Sequence, residues 1–140
     1  MRGTQVKRIE DSRMFNMLLV EDDVNYRQAL SDTLLTYFPF VDVDEAGDGE
    51  EALSKVEYLR PNLIFMDVKL PGVGGLEVTR KIKRVYAEVV IVILTSYDLP
   101  EHRQQAFRNG ADCFLSKTDD TCMDDILAHV EREMARKSCH

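Results

Sequence analysis

Four of the five short apolar runs in this sequence are followed directly by polar residues: two runs by acids, one by a threonine hydroxyl and one by a lysine ammonium. An acidic triplet at 21–23 follows the first such run, Asp67 the third, Thr95 the fourth and Lys117 the fifth. Clustered carboxylates repel one another unless a cation holds them, and Mg²⁺ prefers oxygen ligands of this kind. A carboxylate can also attack phosphorus to form an aspartyl phosphate. An ammonium and a hydroxyl would then stabilise the phosphoryl oxygens.

The apolar runs alternate with amphipathic stretches, and this alternation predicts the elements that must position those side chains. The spacing predicts strands over residues 15–20, 41–44, 63–66, 89–94 and 113–116. It predicts helices over residues 24–38, 49–59, 76–85, 100–108 and 119–136, with Asp48 as the N-cap of the second. On the apolar faces we expect Val24 and the aliphatic stem of Arg27 in the first helix and Met123 in the last. Strict alternation indicates an α/β fold with a parallel sheet and right-handed crossovers. Five strands favour a flavodoxin-like (βα)5 doubly wound sheet in the order 2-1-3-4-5.

In such a sheet, ligands bind outside the carboxyl ends of the strands, where the strand order reverses. That point lies between the first and third strands, which end at the acidic triplet and at Asp67. Each residue also has a plainer interpretation, since acids before a helix usually cap it and a lysine after a strand is usually solvated. Their joint occurrence at four strand ends favours a shared site.

Composition narrows the classes of function. The chain has 140 residues and a net charge of −7, which disfavours direct binding to nucleic acid. No apolar run is long enough for a membrane span and none follows the basic N-terminus, so we expect a cytoplasmic protein. Cys113, Cys122 and Cys139 have neither zinc-site nor disulfide-framework spacing. Residues 1–14 are polar and aperiodic, and we expect a flexible leader there.

At this point the residues resemble the receiver domain of two-component response regulators. The resemblance covers residues 15–136 and leaves 137–140 as a tail. It is carried by LLVEDD at 18–23, FMDVKLPG at 65–72, GLE at 75–77, ILTS at 93–96, NGAD at 109–112 and FLSK at 114–117.

The resemblance implies a role for each acid. Asp67 would be the phosphoacceptor, in a reaction that depends on Mg²⁺. Asp22 would bind the metal directly and Glu21 would bind it through water, helped by Asp67 and the backbone carbonyl of Lys69. Asp23 would be a third acid, with capping of the following helix as its equal alternative.

The resemblance also implies a switch. Thr95 would supply the switch hydroxyl, and Lys117 would pair with the phosphoryl group. The surface formed by helix 4, strand 5 and helix 5 would then change, with Phe107 and Phe114 repacking. Phe114 stands where the family often has Tyr, and Thr118 stands where many members have Pro in a cis peptide.

The implied partners are a histidine kinase or a histidine phosphotransfer protein, an output protein or domain downstream, and a possible second copy in a homodimer. The chain would catalyse only its own phosphorylation and dephosphorylation. We further expect Lys69 and Tyr97, two residues after Asp67 and Thr95, to tune the lifetime of the acyl phosphate.

An alternative is a Mg²⁺-dependent phosphotransferase or phosphatase of haloacid-dehalogenase-like type. Those enzymes also use an aspartate, but in an Asp-x-Asp pattern after the first strand. A flavodoxin-type FMN binder is disfavoured, because the loop after the first strand is acidic.

Overall fold

The computed structural model describes residues 15–138, so the leader predicted at 1–14 and the last two residues of the predicted tail lie outside it. The strands are β1 Asn16–Val20, β2 Asp42–Ala46, β3 Leu63–Met66, β4 Val90–Thr95 and β5 Cys113–Ser116. The helices are α1 Val24–Tyr37, α2 Gly49–Leu59, α3 Gly75–Val85, α4 Pro100–Arg108 and α5 Cys122–Ser138. Each predicted element is present, and α5 ends later than the predicted residue 136.

The five strands form one parallel sheet in the order β2-β1-β3-β4-β5, which confirms the predicted fold class. The register pairs Val20 with Ala46 on one side and with Met66 on the other. β3 and β4 are buried on both faces, as expected for central strands that helices cover on each side. β2 is an edge strand and is only partly buried.

Two hydrophobic layers enclose the sheet. One layer lies between the sheet and α2, α3 and α4, with Val56, Val78 and Ala106 among its buried residues. The other lies between the sheet and α1 and α5, with Leu34 and Ile126 at its centre. None of the helices in residues 15–138 is long and apolar enough to cross a membrane.

Two residues expected on apolar helix faces lie outside the core. Met123 is exposed, and Cys122 is buried in its place on the face that continues through Ile126 and Val130. A turn precedes α5, in which the Asp119 N–H donates to the Ser116 carbonyl, and the helix begins at Cys122 rather than at residue 119. Val24 is also exposed, at the first residue of α1.

Candidate functional site

Four strand ends bring the predicted side chains to one edge of the sheet. Glu21 follows β1, Asp67 follows β3, Thr95 ends β4 and Lys117 follows β5. Backbone pairing continues past the strands, because the Asp67 N–H donates to the Val20 carbonyl at 3.1 Å and the Lys117 N–H donates to the Thr95 carbonyl at 2.9 Å. These bonds hold the functional residues in register with the sheet.

Three carboxylates meet at this edge. Oxygens of Glu21, Asp22 and Asp67 lie within 4.8 Å of one another, and only Asp22 is exposed. Burial raises the pKa of the Glu21 carboxyl; hydrogen bonds from Lys117 and from the Asp23 N–H oppose this rise, and the charge of Asp67 adds to it. A set of oxygen donors with one solvent-facing member fits a hard divalent cation that keeps part of its water shell. Mg²⁺ therefore suits these residues.

The Lys117 ammonium lies between the two buried acids. It forms an ion pair with Glu21 Oε1 and another with Asp67 Oδ2, the latter at 3.3 Å, while its side chain is only 12% exposed. The same nitrogen lies 4.2 Å from the centroid of the Tyr26 ring. An ammonium so enclosed is an internal counter-charge for the acids.

Asp23 caps a helix in this structure. Its Oδ1 accepts the N–H groups of Asn25 at 3.0 Å and Tyr26 at 3.1 Å, at the N-terminus of α1. Its own N–H donates to Glu21 Oε2 at 3.1 Å. The capping alternative is thus realised, and Asp23 stands outside the three-carboxylate cluster found among the described residues.

Thr95 is fully buried at the end of β4. Its Oγ1 accepts the Tyr97 N–H at 3.2 Å. The next four residues, 96–99, are exposed. One backbone hydrogen bond therefore links the predicted switch hydroxyl to the segment that leads into α4.

Lys69 approaches the site through its backbone. Its N–H points to Asp67 Oδ1 at 3.4 Å, a long hydrogen bond. The exposed Lys69 side chain extends to Tyr97, where the ammonium lies 4.8 Å from the ring centroid. The two residues expected to influence the acyl phosphate are therefore in contact with each other across the site mouth, and the metal-binding role of the Lys69 carbonyl stays a prediction.

Phe114 lies on β5, and the turn after Lys117 follows the end of that strand. Phe114 is buried, with the Arg103 guanidinium 4.6 Å from its ring centroid, while Phe107 is exposed. All peptide bonds from residue 15 to 138 are trans, so the one before Thr118 is trans. The Ser116 and Thr118 hydroxyls bond to each other at 2.8 Å and close this turn.

Sequence reasoning missed three supporting residues. Arg27 was assigned only an aliphatic packing role, yet its Nη1 donates to the Glu21 carbonyl at 2.6 Å and its Nε pairs with Glu45. Tyr26 was not singled out. Gly75 was quoted only within a motif, but a Cβ there would lie 1.8 Å from the Asp67 carbonyl oxygen. The only sequence signal for Tyr26 is an aromatic residue in the first helical turn after the acidic triplet.

Comparisons with known proteins agree on one family. A model described as the response regulator receiver domain matches residues 17–131. The response regulator GacA of Pseudomonas viridiflava is 33% identical over 104 residues, which cover 74% of this chain and 49% of that protein. The chain thus spans about half the length of the curated relatives it matches first.

Solved structures have the same fold. A CheY-like receiver domain protein from Methanospirillum hungatei JF-1 superposes with a TM-score of 0.79 at 24% identity, covering 89% of this chain and 97% of that one. The BeF3-activated receiver domain of DrrB, a response regulator of Thermotoga maritima, superposes with a TM-score of 0.76 at 28% identity, covering 87% and 98%.

Proposed function

This chain belongs to the family of response regulator receiver domains of two-component systems, and we propose that Asp67 is the residue on which it accepts a phosphoryl group. It is a signalling domain, and the haloacid-dehalogenase-like alternative has no support among the comparisons. One observation carries the proposal. The Asp67 carboxylate is buried at the end of β3, with the Lys117 ammonium on one oxygen and a backbone N–H near the other.

In the proposed reaction, an Asp67 carboxylate oxygen attacks the phosphorus of a phosphohistidine. The new O–P bond forms as the P–N bond to the imidazole breaks. The electron pair of the P–N bond stays on the imidazole nitrogen, which leaves as the histidine side chain of the donor. Lys117 stays beside the product, because its ammonium can pair with a phosphoryl oxygen as it pairs with Asp67 now.

Mg²⁺ is the cofactor we propose, held by Asp22, Asp67 and the Lys69 carbonyl, with Glu21 acting through water. Bound there, it would neutralise the acids and the phosphoryl oxygens. Three clustered carboxylates, of which two are buried, support this assignment. Asp23 is the weakest candidate, since its carboxylate already accepts two backbone N–H groups.

The switch would act through Thr95. Its hydroxyl would leave the Tyr97 N–H and donate to a phosphoryl oxygen, which would release residues 96–99 and change the surface of α4, β5 and α5. Phe114 would repack there. The contact of Lys69 with Tyr97 would control the access of water to the acyl phosphate and so set its lifetime.

The family implies a phosphodonor and an output, and we propose a histidine kinase or a histidine phosphotransfer protein as the donor. The output would be a further protein or domain, or a homodimer formed through the switching surface. A net charge of −7 disfavours direct contact with nucleic acid. We propose that the chain acts through protein partners in the cytoplasm, without contact with a membrane.

Intact-mass measurement tests the proposal. The chain is incubated with acetyl phosphate and Mg²⁺, and we expect a mass gain of one phosphoryl group. Asp67→Asn should abolish the gain, and omission of Mg²⁺ should reduce it strongly. A gain of equal size in Asp67→Asn, or no gain in the unaltered chain, would contradict the assignment.

A further inference from the structure

Tyr26 provides the only uncharged partner described for the Lys117 ammonium. The ring centroid lies 4.2 Å from Nζ, a distance typical of a cation–π contact. The other two partners of that nitrogen are the carboxylates of Glu21 and Asp67. Since the lysine side chain is only 12% exposed, water contributes little to holding the ammonium in place.

The backbone fixes Tyr26 at this position. Asp23 accepts the Tyr26 N–H at 3.1 Å, so the cap that begins α1 also sets where the ring lies. The two residues before it, Val24 and Asn25, are exposed, whereas Tyr26 is half-buried. Its side chain borders a small cavity together with Glu21, Asp67 and Leu94. The ring therefore extends under the site rather than into solvent.

The phenol of Tyr26 stays neutral at this position. Burial raises its pKa, and the negative charges of Glu21 and Asp67 raise it further. A neutral ring attracts a cation through its quadrupole and carries no charge that would compete for a metal ion or repel a phosphoryl group.

The ring differs from the two acids in one important respect. Under the proposed function, Glu21 and Asp67 both serve the metal, and Asp67 also becomes the acyl phosphate. Each acid therefore changes its charge or its partner during the reaction, while Tyr26 changes neither. A constant contact is what keeps a flexible lysine aligned when its other partners are exchanged.

We propose that Tyr26 is a positioning residue for phosphoryl transfer, whose ring holds the Lys117 ammonium beside Asp67 before and after the phosphoryl group arrives. This inference rests on the proposed function of Asp67 and Lys117. It predicts that the ring, rather than the hydroxyl, is what the site requires.

Phosphorylation kinetics test the proposal. With acetyl phosphate and Mg²⁺ in excess, Tyr26→Leu should slow phosphorylation of Asp67 about tenfold, a size that fits a largely desolvated cation–π contact. Tyr26→Phe keeps the ring and should restore the rate to within about twofold of the unaltered chain. Tyr37→Leu is the matched control, because Tyr37 is on the same helix and is 62% exposed.

A double-mutant cycle separates positioning from general packing. In a Lys117→Met background, Tyr26→Leu should change the rate less than about twofold, since the ring then has no ammonium to hold. A second measurement needs no phosphodonor: NMR should find the Lys117 ε-methylene protons shifted upfield by the ring in the unaltered chain and in Tyr26→Phe, and shifted back in Tyr26→Leu. Should Tyr26→Leu unfold, Tyr26→Met gives the same comparison with an unbranched side chain.

The outcomes are distinct. No phosphorylation of the unaltered chain would overturn the proposed function itself. Phosphorylation with equal rates in the unaltered chain and Tyr26→Leu would overturn the role of Tyr26 alone. A Tyr26→Phe rate as low as that of Tyr26→Leu, or an equally large effect of Tyr26→Leu without Lys117, would also overturn it.

Discussion

The carboxyl edge of the sheet has a charged half and a neutral half. The charged half consists of Glu21, Asp22, Asp67 and Lys117, whose buried members are bound to one another. The neutral half consists of the Thr95 hydroxyl, the backbone of residues 96–99 and the Phe114 ring; the Asp98 carboxylate in that segment pairs with Arg103. There a single backbone hydrogen bond to Thr95 Oγ1 links the strand end to an exposed segment.

The two halves differ in how much free energy the exchange of a contact costs. A buried charge that loses its partner costs several kcal/mol, so the charged half keeps its arrangement until a cation or a phosphoryl group replaces one of the partners. A neutral hydrogen bond contributes only about 1 kcal/mol, so the neutral half can exchange its contacts at little cost. The first property suits chemistry and the second suits switching. The first three of the following four predictions test this contrast, and the fourth concerns a contact outside both halves.

The largest effect is expected for Lys117→Met in the charged half. It leaves two buried carboxylates without their ammonium, and we expect the free energy of unfolding to fall by about 3 kcal/mol. Urea denaturation without divalent cations measures the loss, and Mg²⁺ should recover part of it. Arg80→Met breaks an exposed ion pair with Glu77 and should change little. Equal losses in the free energy of unfolding of the two variants would contradict the distinction between the charged and the neutral half.

Gly75→Ala tests how rigidly Asp67, the proposed phosphoacceptor, is placed. The added Cβ would lie 1.8 Å from the Asp67 carbonyl oxygen, so the backbone must move. We expect a loss of about 2 kcal/mol in stability and slower phosphorylation. Gly74→Ala is the matched control, because its Cβ would lie 3.7 Å from the nearest atom at a φ of −70°. Thermal unfolding of the two neighbours should differ clearly, and similar unfolding would contradict the predicted rigidity.

Thr95→Ala tests the neutral half. Loss of the hydroxyl removes the acceptor of the Tyr97 N–H, and we expect a stability loss of about 1 kcal/mol. Phosphorylation should persist, while the NMR shifts that beryllofluoride induces in α4 and β5 should diminish. Thr95→Ser keeps the oxygen and should retain them. Undiminished shifts in Thr95→Ala would show that another group carries the switch.

The smallest effect concerns His129 on α5, whose Nε2 lies 3.1 Å from Cys113 Sγ on β5. Burial and the charge of Arg132 lower the pKa of this imidazole below 6.5. Between 6.5 and the lower folded value the unfolded chain binds more protons, so stability falls as pH decreases through that window. His129→Gln should lessen this fall by a few tenths of a kcal/mol between about pH 7 and 5. Denaturation curves with identical pH dependence would contradict the prediction.

Sequence patterns predicted most of the fold and the location of the site. Parallel strands end at one edge, so residues after successive apolar runs could be placed together, and Glu21, Asp22, Asp67 and Lys117 do meet there. Patterns failed at the beginning of α5. The helix begins at Cys122, after a turn at residues 119–121, and Cys122 rather than Met123 lies in the core.

Contacts that depend on packing or on the conformation of a long side chain were the other limit. The pairing of Tyr26 with Lys117 joins α1 to the end of β5, and the bond from Arg27 to the Glu21 carbonyl depends on the conformation of a long side chain. Periodicity carries no information on either contact. Such contacts follow from the packing of α1 against the sheet, which becomes visible only in three dimensions.

The ion pair between Lys117 and Glu21 has a consequence for signalling logic. A divalent cation held by Glu21 would release the Lys117 ammonium, which could then pair with an anion on Asp67. The cation would thus raise the affinity for the anion, and by linkage the anion would raise the affinity for the cation by the same factor. The domain would then act as a coincidence detector, responding fully when magnesium and a phosphodonor are present together and weakly to either alone.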